Sequence, residues 1–95
     1  MASVGVLTLE LRLENSHSLK DKRHVVRSLK DHLRSKFNVA VAEIEYQDLW
    51  QRAALAAVTV SSDRGNAERV LRSVEEEACS LLGPELAETT LEWLA

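Results

Sequence analysis

The sequence contains few residues that crosslink a chain or interrupt its regular structure. Its 95 residues include one cysteine, one proline and three glycines, and aromatic residues make up 4%. A single cysteine, Cys79, excludes an internal disulfide framework and favours a reducing compartment. So little proline and glycine argues against a disordered chain. Because no apolar run approaches the length of a membrane span and the N-terminus lacks a signal-peptide pattern, we expect one cytoplasmic domain over residues 1–95.

The sequence also lacks the residue clusters that catalysis and metal binding require. It contains no glycine-rich phosphate loop, no metal-ligand spacing and no paired nucleophile and base. His24 and His32 are eight residues apart, so they miss the i, i+4 spacing with which a helix binds one metal ion. Cys79 follows three glutamates and is expected to be packed and inert. We therefore expect a protein that is not an enzyme and that has no cofactor and no metal site.

Hydrophobic periodicity predicts four strands and two helices. Residues 6–13 alternate, which is typical of a strand with one buried face. Apolar residues three and four apart predict a helix from Leu19 to about Lys36, after an N-cap formed by Ser18 and Asp21. Asn38 is expected to follow this helix in the left-handed conformation.

The second half of the chain repeats this pattern. Strands are predicted over 39–46, 50–61 and 89–94, although the alanine-rich 50–61 segment also has helical propensity. Residues 62–66 form a turn cluster, and a second helix follows and ends before Gly83-Pro84. Its predicted apolar stripe consists of Ala67, Val70, Leu71, Val74, Ala78 and Leu81.

The element order β-α-β-β-α-β predicts an α+β ferredoxin-like sandwich, with a four-stranded antiparallel sheet and two helices on one face. The first and third strands are then central. Because the third strand is apolar on both faces, we expect the open sheet face to be covered, most simply by a second copy of the chain. The expected homodimer interface residues are Trp50, Arg52 and Leu55.

Five basic residues lie on one edge of the first helix. They are spaced 3, 4, 3 and 4 apart, fall within an arc of roughly 80° beside the apolar stripe, and stand out in a chain of net charge −3. Such a row is typical of a phosphate-binding surface, and equally of a solvated helix face. We expect Arg27 and Lys30 to be its most exposed members. We call this set the basic row: Lys20, Arg23, Arg27, Lys30 and Arg34.

Two smaller features leave alternatives open. Glu43 and Glu45 are predicted to share a strand face, where they could act as an acid and base or as metal ligands. They could equally form a solvated strand face, or pair with Arg12 or Arg52 across the sheet. Trp50 lies in the predicted hairpin, and it suits an interface anchor, a base-stacking residue or a structural plug.

Three segments of the sequence resemble the YlxP-like family of small bacterial proteins of unknown function. The segments are Ser18–Arg23, Phe37–Glu43 and Gln47–Ala53, in the same order along the chain. The resemblance implies a ferredoxin-like fold and supplies no catalytic residues. Members of the family are often encoded near translation-initiation and ribosome-maturation genes, which implies a role linked to RNA or the ribosome.

Two hypotheses of function follow. The first is a non-catalytic module that binds RNA or the ribosome through the basic row. The second is a homodimeric protein-interaction domain that binds no nucleic acid, in which the basic row is only solvated.

Overall fold

The structure, a computed structural model, describes all residues from Met1 to Ala95 and has the predicted element order β-α-β-β-α-β. A short 3₁₀ helix, Gly83–Glu85, precedes the last strand. The elements are β1 (Ser3–Arg12), α1 (Leu19–Lys36), β2 (Ala40–Glu45), β3 (Arg52–Ser61), α2 (Arg64–Leu82) and β4 (Leu86–Trp93).

The four strands form one antiparallel sheet in the order β2-β3-β1-β4. β1 and β3 are therefore the central strands, which confirms the ferredoxin-like prediction. Leu7, Leu9 and Leu11 of β1 lie opposite Ala57, Leu55 and Ala53 of β3, and all six are at most 1% exposed. Because paired residues share a sheet face, these six residues form the helix-facing side of the core.

The two helices cover the same sheet face side by side. α1 packs over the edge strand β2, whereas α2 packs over β1 and β3 and reaches β4. Val26, Leu29 and Leu33 bring the stripe of α1 into the core, as the periodicity predicts. Neither helix is long and apolar enough to cross a membrane.

The start of α2 and two members of its stripe differ from the prediction. The helix begins at Arg64, inside the predicted turn, because the carboxylate of Asp63 caps it by accepting from the Gly65 N–H at 3.1 Å. Leu82 is the last buried residue of the stripe, whereas Leu81 is 50% exposed and Val70 is only partly buried. The buried positions are thus Ala67, Leu71, Val74, Ala78 and Leu82.

The prediction for Asn38 is also wrong. α1 ends at Lys36 with an extended Phe37, and the only residues with positive φ are Tyr46, at 66°, and Gly83, at 56°. In the first half of the chain the left-handed residue is therefore Tyr46, which lies after β2 where the chain turns toward β3, and not a residue after α1.

Candidate nucleic-acid interface

The basic row lies along the outer long side of the molecule. His32 and Lys36, which project between roughly 140° and 180° around the helix from Arg27, both contact Glu77 of α2. The basic row is therefore on the flank of α1 that faces away from α2. Because α1 covers the edge strand β2, this flank overhangs the free edge of the sheet. The basic row runs about 21 Å along the helix at 1.5 Å per residue.

Most of the basic row is open to solvent. Lys20, Arg23, Arg27 and Arg34 are exposed, whereas Lys30 is only partly exposed. The expectation that Lys30 would be among the most exposed members is wrong, because helical spacing places Lys30 nearest the apolar stripe, where a long side chain is partly covered.

No member of the basic row has an acidic partner. None forms an ion pair within 4.0 Å or donates a side-chain hydrogen bond to another residue. Asp21, beside Lys20, is occupied at the helix N-terminus, where Oδ2 accepts from the His17 N–H at 3.0 Å. By contrast, most other basic residues are paired: Lys22, Lys36, Arg52, Arg69 and Arg72.

Lys22, between two members of the basic row, has a different role that the periodicity did not assign to it. Its side chain is 1% exposed. The ammonium donates to the carbonyl oxygens of Tyr46 at 2.6 Å, Gln47 at 3.2 Å and Arg52 at 3.3 Å. Its position in the sequence could have indicated burial, because Lys22 continues the spacing of the apolar stripe. That stripe consists of Leu19, Lys22, Val26, Leu29 and Leu33.

Glu43 lies beside the Lys22 ammonium. Its Oε2 atom is 3.0 Å from Nζ, but the three carbonyls take the three N–H donors, so Oε2 is buried without a directed hydrogen bond. The contact is thus an ion pair inside the hairpin end of the core. One alternative predicted that Glu43 pairs with Arg12 or Arg52, but Glu43 pairs with Lys22 instead.

Glu43 and Glu45 do not share a face. Glu43 lies opposite Leu55, on the helix side, whereas Glu45 lies opposite Ala54, on the open side. A β-bulge between them inserts one residue and turns Glu45 to the other face. The two carboxylates therefore cannot act together as an acid and base.

The residues expected at a homodimer interface lie in different places. Leu55 is 0% exposed and faces the helices, so it cannot contribute to a contact through the open sheet face. Arg52 is partly exposed, with its guanidinium 4.0 Å from the centre of the Tyr46 ring and Nη2 donating to the Tyr46 hydroxyl at 3.1 Å. Trp50 is 52% exposed, so it is not a structural plug.

The remaining single residues form no site. Cys79 is exposed, so the expectation of a packed thiol is wrong. His17 and His24 are exposed, and His32 Nε2 lies 2.6 Å from Glu77 Oε2. Hydrogen bonds from Lys36 and then from His32 hold the pKa of Glu77 below its ordinary value, which is the behaviour of an interhelical ion pair.

Comparison with known proteins gives the same family assignment as the sequence resemblance. Residues 4–90 match the model of a family described as a protein of unknown function, DUF503. The uncharacterized protein YlxP of Bacillus subtilis is 36% identical over 90 residues, which cover 95% of this chain and 98% of that protein.

A solved structure shares the fold alone. The Bacillus subtilis YXEP protein, described as a dinuclear metal-binding peptidase from the M20 family, matches with a TM-score of 0.60 at 12% identity. The match covers 98% of this chain, which spans only 26% of that protein's chain. At this identity the likeness supports the architecture and gives no information about activity.

Proposed function

The chain belongs to the DUF503 family of proteins of unknown function, and we propose that it binds RNA, free or in the ribosome, through the basic row without catalysing a reaction. The observation that carries the proposal is the lack of any intramolecular acidic partner for all five side chains. A surface that serves only solubility has no need to collect unpaired charges of one sign, and acidic residues are abundant elsewhere in the chain.

The charge distribution favours a local contact over general adhesion to nucleic acid. Five of the chain's 12 basic residues lie in the basic row, yet the net charge is −3. Away from the basic row the protein therefore repels phosphate, so an RNA strand is attracted to one flank of α1. Arginine and lysine suit this contact because both bind phosphate oxygens with charge-assisted hydrogen bonds.

The test is a binding titration with charge-reversed variants. A fluorescently labelled RNA is titrated with wild-type protein and with the double variant Arg23→Glu/Arg27→Glu, and binding is followed by anisotropy at low salt. The variant is expected to lose at least about tenfold in affinity, since two attractive charges become repulsive.

A matched control carries the same change in charge elsewhere. Arg64 and Arg69 lie outside the basic row, both in the first two turns of α2, and Arg64→Glu/Arg69→Glu is expected to retain most of the wild-type affinity. Equal affinity of wild type and Arg23→Glu/Arg27→Glu would remove the proposal. Circular dichroism spectra that match the wild type establish that each variant is folded.

A homodimer through the open sheet face is the second candidate. Four valines adjoin one another on that face, where Val4 pairs with Val60 and Val6 with Val58. Val60 is 57% exposed, and an uncovered apolar patch of this kind suits a second copy. Sedimentation at micromolar concentration is expected to give a dimer that Val60→Asp converts to monomer; a wild-type monomer would exclude this candidate.

A further inference from the structure

The connection between β2 and β3, residues 46–51, is held in place by a buried charge. The Lys22 ammonium donates to carbonyls at both ends of the turn, at Tyr46 and Gln47 where the turn begins and at Arg52 where β3 begins. A lysine that is 1% exposed is rare in a protein core, because burying its charge is costly unless it is fully bonded. This residue therefore fixes the turn to the start of α1.

A second set of bonds ties the same turn to the segment before α1. The Gln51 side-chain amide donates to the carbonyls of Glu14 at 3.2 Å and Ser16 at 3.3 Å. The Gln51 carbonyl accepts from the Leu13 N–H at 2.9 Å. The turn and the N-terminal end of α1 are thus one connected unit.

The turn also contains the only non-glycine residue in a left-handed conformation. Tyr46 has φ of 66°, which costs free energy for a residue with a bulky side chain. Its carbonyl accepts from the Leu49 N–H at 3.0 Å, and its ring lies against the Arg52 guanidinium. The surrounding contacts therefore keep the chain in a conformation that it would not otherwise favour.

This fixed turn exposes two large apolar side chains. Leu49 is 47% and Trp50 is 52% exposed, and neither belongs to the core cluster or packs against it. Together with Asp48, Gln51 and Arg52 they line a hollow that is open to solvent. An exposed tryptophan on a rigid turn contributes little to folding, but it is well placed for binding because little flexibility is lost.

We propose that Trp50 stacks against an unpaired base of an RNA strand whose phosphates follow the basic row. This inference rests on the proposed function and adds the substrate class, single-stranded RNA. Lys22 links the turn to the helix segment that carries Lys20 and Arg23, so the ring and the first charges of the basic row occupy the same end of the molecule.

The exposed groups of the turn suit a base better than a phosphate, because the guanidinium of Arg52 in the hollow is already paired with Glu10 at 3.8 Å. Asp48 is exposed at the tip and repels phosphate, whereas every base has a flat face that stacks on an indole without regard to charge. Duplex RNA keeps its bases paired and stacked, so it cannot offer one to Trp50.

The test follows both fluorescence and affinity. Trp93→Phe leaves Trp50 as the only tryptophan of the two in the chain, and its emission is recorded as short oligouridylate, or an RNA duplex of the same length, is added. Oligouridylate is expected to quench Trp50 and the duplex is not. Trp50→Ala is expected to lower oligouridylate affinity roughly 5- to 150-fold, and Trp50→Phe to lower it less.

Leu94→Ala is the matched control, because it removes an exposed apolar side chain that lies beside Val4, at the other end of β1 from the turn. It is expected to bind oligouridylate like the wild type. If Trp50→Ala binds oligouridylate with wild-type affinity and oligouridylate does not quench Trp50, base stacking is overturned. The exposed side chains of the turn would then fit an apolar contact with another protein. In that case the proposed function still stands if Arg23→Glu/Arg27→Glu weakens RNA binding. If the wild type binds no RNA, both the proposed function and the stacking of Trp50 are wrong.

Discussion

The ammonium of Lys22 lies 2.6 Å from the carbonyl oxygen of Tyr46, the single non-glycine residue with positive φ. The two residues are 24 positions apart, so this bond joins the start of α1 to the turn between β2 and β3. It explains why a charged residue occupies a core position of the α1 stripe, since a leucine there would take the ammonium donor away from three carbonyl groups.

Replacing Lys22 is therefore expected to destabilise the fold. Lys22→Met keeps the aliphatic stem and removes the ammonium, so that three carbonyls lose a hydrogen bond and Glu43 loses its partner. We expect the free energy of unfolding in urea to fall by about 2–4 kcal/mol. Lys20→Met, at an exposed position two residues away, is expected to change it by no more than about 0.5 kcal/mol. Equal losses in the two variants would contradict a structural role for Lys22.

Replacing two of the three glycines by alanine is expected to change the free energy of unfolding in opposite directions. A Cβ at Gly5 would lie 2.7 Å from Leu71 Cδ1 and 3.0 Å from Trp93 Cζ3, and Leu71 is fully buried. Gly5→Ala is therefore expected to lower the free energy of unfolding by about 1–3 kcal/mol.

Gly65 is the matched site because its Cβ would meet nothing closer than 3.6 Å. It lies in the first turn of α2, so Gly65→Ala is expected to raise stability by up to about 1 kcal/mol. Thermal unfolding of both variants, followed by circular dichroism, tests the pair. A Gly5→Ala variant as stable as Gly65→Ala would show that the packing around Leu71 is loose.

A carboxyl pair on the open sheet face is expected to make stability depend on pH. Glu10 and Glu88 lie opposite each other on β1 and β4, and the hydrogen bond and charge of Glu10 raise the pKa of Glu88 above its ordinary 4.5. A raised pKa in the folded state means that the contribution of Glu88 to stability is most favourable when Glu88 is protonated, below pH 4.5, and is lost as the pH rises through the folded-state pKa.

Glu88→Gln removes this repulsion. The variant is expected to unfold at a higher temperature than the wild type at pH 7, and the difference is expected to shrink toward pH 3.5. Glu92→Gln, on the same face of the same strand, is the control and is expected to show no such pH-dependent gain. If the unfolding temperatures of Glu88→Gln and the wild type differed by the same amount at every pH, repulsion between Glu10 and Glu88 would not be the cause.

The sequence pattern correctly predicted the features that repeat over a few residues, such as the alternation of a strand and the cap of a helix. The alternating leucines of β1 face the core as expected, and Ser18 caps α1 by accepting from the Asp21 N–H at 3.0 Å. The alternation of β1 and the spacing of Ser18 and Asp21 each lie within a few positions of the sequence, so a local pattern is enough to predict them.

The parts that were missed depend on residues far apart in the sequence. The bulge that separates Glu43 from Glu45 is defined by pairing with β3, and the role of Lys22 depends on carbonyls 24 to 30 residues away. The basic row was predicted as a set, whereas the partial burial of Lys30 was not, because helical spacing does not specify how far a long side chain folds back on the core.

The salt dependence of RNA affinity tests binding by the basic row most directly. If all five side chains contact phosphates of a single strand, a plot of log K against log salt concentration has a slope of about −3.5. Arg23→Gln/Arg27→Gln removes two contacts and is expected to reduce the slope to about −2.1. A wild-type slope near zero, or the same slope in both proteins, would show that the basic row does not bind RNA.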